Sequence, residues 1–216
     1  MELSDTQIKI IEAAELEFAE RGYRGASIRE ITRRAGVNVA AVNYHFGNKE
    51  VLFKEMVRYR LDPINRLRID LLETALAENG GEPLPLERIV DFITRPLLTR
   101  LINESDNDFR FMRALGKSLS EERSFMRDLL RDMLKEIMTK FSQAISDSLG
   151  NPEFPKTVYG MHFLSCALGG AMMQHTRLQF ISDGKINLND IDELVDHLVA
   201  FLTAGLKGMA DVPTKK

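Results

Sequence analysis

The sequence predicts an all-α protein, and three observations carry that expectation. Apolar residues recur at three- and four-residue spacing along most of the chain, as in Met126, Leu129, Leu130, Met133, Ile137, Phe141 and Ile145. No segment alternates apolar and polar residues between hairpin turns. The seven prolines fall mostly where helices would begin or end, and the clearest loop is Asn79-Gly80-Gly81-Glu82-Pro83.

Taken in order, Ser4 or Asp5 caps a first helix that turns Ile8, Ile11, Ala14, Leu16 and Phe18 toward the core and ends at Gly22. Ser27 followed three residues later by Glu30 reads as a capping box opening a second, short helix with Ile28, Ile31 and Ala35 on one face. Gly36 stops it where the backbone needs positive φ. Asn38 caps a third helix to about His45, with Val37, Val42 and Phe46 packing inward. Asn48 opens a fourth to about Tyr59, and Asp62-Pro63 restarts or kinks it because proline disfavours helical geometry in the residue before it. Leu67, Leu71, Leu72 and Leu76 continue that pattern. Further helices are expected over 86–101, 108–119, 121–149, 155–180 and 189–208, with an internal break possible at Pro96. The last carries Ile191, Leu194, Val195, Leu198, Phe201 and Leu202 along one side.

The stretch from Ser27 to Lys49 is the chain's most distinctive. From Arg21 to Lys49 there are six basic residues and one acid, a net of +5 in a chain whose formal charge is -3. A basic island on an acidic protein is an electrostatic footprint for phosphates. The competing reading is a helical hairpin with a solvated basic face. Val39-Ala40-Ala41 tips the balance: these residues are small and uncharged, and suit close approach to base edges and thymine methyls in a major groove.

The pieces IIEAAELEFAERGY, SIREITRRAGV and VNYHFGNKEVLF carry a resemblance. Over residues 5 to 53 the chain is similar to the DNA-binding domain of the TetR family of transcriptional repressors. One departure is Asn43, where many members carry Tyr. The resemblance implies a helix-turn-helix DNA-binding domain over 1–47 and a helical effector-binding and dimerisation domain over 48–216. It implies that Ser27, Tyr44, His45 and Lys49 hold phosphates, and that Arg29, Val39, Ala40, Ala41 and Asn43 face bases. The partners are then a palindromic double-stranded DNA operator and a second copy of the chain.

Composition narrows the alternatives. A chain of 216 residues, 44% hydrophobic, can bury a sizeable core. A single cysteine, Cys166, permits no intrachain disulfide and fits a reducing cytoplasm. MELSDTQIK has no apolar run after a basic segment, so no secretory signal is expected. The apolar run from Val158 to Met173 is interrupted by His162 and too short to span a membrane. No G-x-S-x-G elbow, P-loop or Rossmann fingerprint is present, so an enzyme is not expected and no cofactor is implied. His162 and Cys166, with His175 beyond, have metal-ligand spacing. Without a carboxylate to complete the set, a buried histidine and a buried free thiol are the stronger reading. The acids at 190, 192, 193 and 196 suit a helix N-terminus and need no catalytic role.

The run from Val158 to Met173 is apolar nearly all round, and a partner subunit is its simplest cover, with Gly169-Gly170-Ala171 admitting another helix. A fully intrachain core is the alternative. In the family that the chain resembles, the two final helices form the dimer interface. FRFMRALG, YGMHFLSCALGGA and HLVAFLTAGLKGM are similar to the fatty-acid-responsive subgroup, which implies a small apolar, acyl-type effector. Candidate lining residues are Phe111, Met112, Leu115, Met126, Leu130, Met133 and Phe163, with Arg113, His162 or Arg177 for a polar head. The methionines suit a surface that repacks around a ligand and are equally ordinary core filler. The competing class is a helical ligand-binding or scaffold protein whose hairpin is only structural.

Overall fold

A computed structural model describes residues 3–102, 111, 114–116, 124–173, 175–187 and 190–213. The described residues form helices joined by turns, with no strand among them. The helices are α1 (Asp5–Gly25), α2 (Ile28–Ala35), α3 (Val39–Phe46), α4 (Lys49–Glu78), α5 (Leu86–Ile102), α6 (Ser124–Ser148), α7 (Phe154–Met173), α8 (His175–Ile181) and α9 (Ile191–Ala210). The chain groups into two compact units. The first is Met1–Pro63 with the described part of Asp106–Met133, and the second is Ile64–Ser105 with Leu134–Lys216. By packing, the first unit thus runs past residue 47 and takes in the first half of α4.

In the first unit, Phe18, Tyr23 and Phe53 form an aromatic cluster. Phe18 stacks on Tyr23 at 5.9 Å, and Phe53 meets both edge-on at 5.1 and 5.6 Å. Phe125 closes it, 5.0 Å from Tyr23. Ile10, Ile11, Ala14, Ile31, Val42, Phe46, Leu52, Met56 and Val57 are buried in the same unit. Two expected core positions shift: Ile10 rather than Ile8 is fully buried, and Leu16 only half. Gly22 has φ 69°, which breaks the regular helix where expected, before one further turn to Gly25. The buried carboxylate of Glu15 takes Arg60 in a two-point pair at 2.7 and 3.2 Å, tying α1 to α4.

The capping box lies elsewhere than expected. Ser4 and Gln7 satisfy each other's backbone N–H at the start of α1. Ser27 occupies the N-cap of α2 but its hydroxyl caps nothing; its N–H donates instead to Glu17 at 3.2 Å. Glu30 is taken by Arg33 and Arg34. A restart of the helix at Asp62-Pro63 is also corrected. α4 runs unbroken through Pro63, which is exposed and costs the helix one backbone hydrogen bond. Likewise α5 continues through Pro96.

The core of the second unit is built by Leu72, Ala75, Ile89, Val90, Ile93, Ile137, Phe141, Ile145, Met161, Leu164, Leu202 and Leu206. Ion pairs at both ends fix α5 antiparallel to α9. Arg95 donates to Asp192 at 2.7 Å and Asp196 at 2.6 Å, and Lys207 donates to Glu87 at 2.6 Å. Asp190 caps α9 through the Glu193 N–H. Gly160 makes the close intrachain approach: a Cβ there would lie 2.8 Å from the Leu206 side chain, whereas Gly169 and Gly170 face open space. Among the described residues no helix is long and apolar enough to cross a membrane.

Candidate nucleic-acid interface

The turn between α2 and α3 is set by local chemistry. Gly36 adopts φ 67°, and the Val37 N–H returns to the Thr32 carbonyl at 3.0 Å, a Schellman closure. Asn38 Oδ1 then accepts the Ala41 N–H at 2.8 Å and starts α3. Asn48 does the same for α4 through the Val51 N–H at 3.0 Å.

Val42 and Phe46 fasten α3 to the core. Helical spacing then puts Val39, Ala40, Asn43 and Tyr44 on the opposite face, and all four are exposed, Tyr44 by 85%. Ala41 and His45 lie half-buried at its edges, and Ser27 and Arg29 are exposed on the neighbouring element. The nine expected contact residues therefore fall on α2, α3, the cap between α1 and α2, and the first turn of α4. An uncharged helix face exposed to this degree, with small residues at its start, is shaped for insertion into a groove.

The charge around it is distributed differently from the sequence count. α1 supplies Glu17 and Glu20, which lower the local net from +5 to +3. Arg34 donates to Glu20 at 2.9 and 2.6 Å and lies 3.3 Å from Glu17. Arg33 donates to Glu30 at 2.9 Å, and Arg21 approaches Glu17 at 3.4 Å. The Arg33 hydrogen bond, with Arg34 beside it, holds the Glu30 carboxyl down at about 2, and Arg34 lowers that of Glu20. The stability these pairs add is full above the ordinary carboxylate range and falls away as pH drops toward 2. Arg29 is exposed and has no carboxylate partner among the described residues, which leaves its charge available to a phosphate or a base.

Lys49 has a role the sequence did not reveal. Its ammonium donates to the Tyr23 carbonyl at 2.8 Å and the Ala26 carbonyl at 2.9 Å, and lies 4.7 Å over the Tyr23 ring. It thereby pins the end of α1 against the start of α4. Lys49→Met is expected to cost about 1–3 kcal/mol of stability, as loss of charge-assisted hydrogen bonds does. Urea unfolding measures this, and an unchanged midpoint would count against the brace.

The expected effector set is divided between the units. Phe111, Leu115 and Met126 are buried in the first, with Leu130 and Met133 half-buried there. Met112 and Arg113 lie outside the described residues. In the second unit Phe163 is 56% exposed, so it lines no enclosed space within this chain, and Arg177 is exposed. His162 borders an open groove of about 660 Å³ with Met138, Ser142, Met161 and Ser165. The expected buried His–Cys pair is corrected too: His162 and Cys166 are both exposed, 3.7 Å apart on the outer face of α7. Among the described residues, no group of three or more His, Cys, Asp or Glu could hold a metal ion.

Comparison with known proteins adds to this geometry. Residues 10–56 match the family model described as bacterial regulatory proteins, tetR family, and residues 91–205 match the tetracyclin repressor-like C-terminal domain. The HTH-type transcriptional regulator TtgR of Pseudomonas putida is 32% identical over 112 residues, 52% of this chain and 48% of that one. The probable HTH-type transcriptional regulator YttP of Bacillus subtilis is 44% identical over 52 residues, 24% of this chain and 25% of that one. The chain spans about half the length of the curated relative TtgR. Among solved structures, the transcriptional regulator FadR from Bacillus subtilis in complex with stearoyl-CoA superposes with a TM-score of 0.63 at 16% identity, over 92% of this chain and 98% of that one. The TetR family transcriptional regulator PfmR from Thermus thermophilus gives 0.64 at 15% identity, over 93% and 97%.

Proposed function

The chain belongs to the TetR family of bacterial regulatory proteins, and from that membership we propose that it is a cytoplasmic transcriptional repressor binding a palindromic operator as a homodimer. The observation that carries this reading is the exposed face of α3, Val39-Ala40-Asn43-Tyr44, mounted on a helix whose other side is fully fastened to the core. Arg29, Val39, Ala40, Ala41 and Asn43 read bases, while Ser27, Tyr44 and His45 hold phosphates, with Lys49 bracing the start of α4 beside them. One eight-residue helix contacts too few base pairs to specify a site, so two copies read an inverted repeat, about 34–36 Å apart or at a related spacing.

A small apolar effector bound in the C-terminal domain releases the operator. It does so only by binding more tightly to the form with the lower DNA affinity, since equal affinity for both forms shifts nothing. FadR, whose structure holds stearoyl-CoA, supports an acyl-type ligand. The reading is tested by selecting bound DNA from a random pool and measuring salt dependence on the winner. An inverted repeat with a steep salt slope is expected. Sedimentation showing only monomer at micromolar concentration, with and without DNA, would overturn it.

Within the selected site, Asn43→Ala is expected to relax preference at one base position, at about 1–3 kcal/mol on the best sequence. Affinity on random DNA should barely move. Equal losses on random and selected DNA would remove Asn43 from base reading.

A further inference from the structure

The buried stripe of the second half of α4 contains a charge. Ile64, Leu72 and Ala75 are buried, and Arg68, one turn before Leu72 on the same face, is 4% exposed. Its neighbour Leu67 is 47% exposed. The leucine pattern of the sequence predicts the reverse, with Leu67 inside. Burial of apolar surface favours the leucine, and desolvation penalises the guanidinium, so placing Arg68 inside and Leu67 outside is unfavourable for these two side chains taken by themselves.

Arg68 is also poorly compensated. Nη1 donates to Asn65 Oδ1 at 3.1 Å. No carboxylate pairs with it among the described residues, and its buried Nε–H has no hydrogen-bond partner. Desolvation lowers its pKa to about 10, so it remains a cation at neutral pH. Nε and Nη2 form the edge of a guanidinium that matches a carboxylate or phosphate at two points. In Arg68 neither group of that edge has a protein partner among the described residues.

We propose that Arg68 anchors the anionic head of the effector, a carboxylate or phosphate carried on an apolar body, through its unused Nε–Nη2 edge. The inference rests on the reading of this domain as effector-binding and specifies the ligand's charge. An uncompensated buried cation lowers the stability of the empty protein, and an incoming oxyanion removes that penalty. The result is a preference for anions over neutral molecules of equal length.

The test uses the full-length protein and three probes below their micellar concentrations: dodecanoate, dodecyl phosphate and 1-dodecanol. By calorimetry, the wild type should bind at least one of the anions roughly tenfold or more tightly than the alcohol, the scale expected of a charge-assisted two-point contact. Arg68→Met should bind all three alike. Arg68→Lys keeps the charge without the fork and should retain a smaller preference. Without ligand, Arg68→Met should melt about 2–4 °C higher, because a buried unpaired charge has been removed.

Equal binding of anions and alcohol by the wild type overturns the proposal, as does the absence of binding by either anion. Discrimination that survives in Arg68→Met overturns it as well. A lower melting temperature or failure to fold in that variant makes Arg68 a structural residue and also overturns it. Operator binding is scored in parallel. A wild type that binds DNA without discriminating the probes sinks the Arg68 assignment alone, whereas selective anion binding without DNA binding sinks the regulator reading alone.

Discussion

Replacing both Phe163 and Phe201 by glutamate is expected to leave a folded monomer that binds its operator about 10²- to 10⁴-fold more weakly, the range over which linking two binding modules raises affinity. Phe163 lies on α7 and Phe201 on α9, 56% and 69% exposed in the single chain. Phe154, Val158 and Tyr159 extend the exposed apolar face of α7, and Tyr159 stacks near Phe163 at 6.4 Å. Each phenylalanine covered by a partner contributes about 1.5–3 kcal/mol, and in a two-fold dimer every substitution acts twice. Glutamate removes that gain and adds a charge that cannot be desolvated cheaply. The double variant should sediment as a monomer at micromolar concentration, with its helical circular dichroism intact. A dimer that persists, or operator binding within threefold of wild type, would place the interface elsewhere.

Glu17→Ala is the second large effect expected, at about 2–4 kcal/mol, somewhat below the usual cost of breaking a buried pair because Arg34 keeps other carboxylates. The Glu17 side chain is wholly buried. It accepts the Ser27 N–H at 3.2 Å and faces Arg34 at 3.3 Å and Arg21 at 3.4 Å. Removing it orphans the backbone donor at the start of α2 and leaves a void beside it. The melting temperature should fall by about 5–15 °C at 2–4 °C per kcal/mol. Operator affinity should weaken most near that transition. Glu17→Gln keeps an acceptor for Ser27 and should lose less. A Glu17→Ala protein melting within 2 °C of wild type would show that the clamp carries no energy.

Local signals were read correctly from the sequence where the chemistry spans three or four residues. Asn38 and Asn48 cap the helices expected of them, and Gly36 takes the positive φ between α2 and α3. Val42 and Phe46 face inward because an eight-residue helix with two large apolar residues on one side has one sensible orientation. The outward face of α3 follows from the same arithmetic.

Errors arose where a side chain had more than one local option. Ser27 and Glu30 satisfy the capping-box pattern, yet Glu17 reaches the Ser27 N–H and two arginines take Glu30. Ser4 and Gln7, with no such competitors, form the box. The phosphate role of Lys49 came from the family resemblance, and nothing nearby in sequence signals the bonds it makes within the protein. The two carbonyls it bonds belong to Tyr23 and Ala26, at the far end of α1.

The sequence by itself determined the all-α class, the caps at Asn38 and Asn48, the turn at Gly36 and the residues on the outer face of α3. Each depends on backbone bonding within one turn or on a single helix period. Tertiary structure alone decided which acids neutralise the basic island, that Lys49 braces α1, that Phe163 and Phe201 are left outside, and that Arg68 is inside while Leu67 is not. Residues 67 and 68 are about 100° apart on a helix, and α4 carries apolar residues on several sides. Its rotation is therefore fixed by what packs against it, and periodicity along its own sequence cannot supply that.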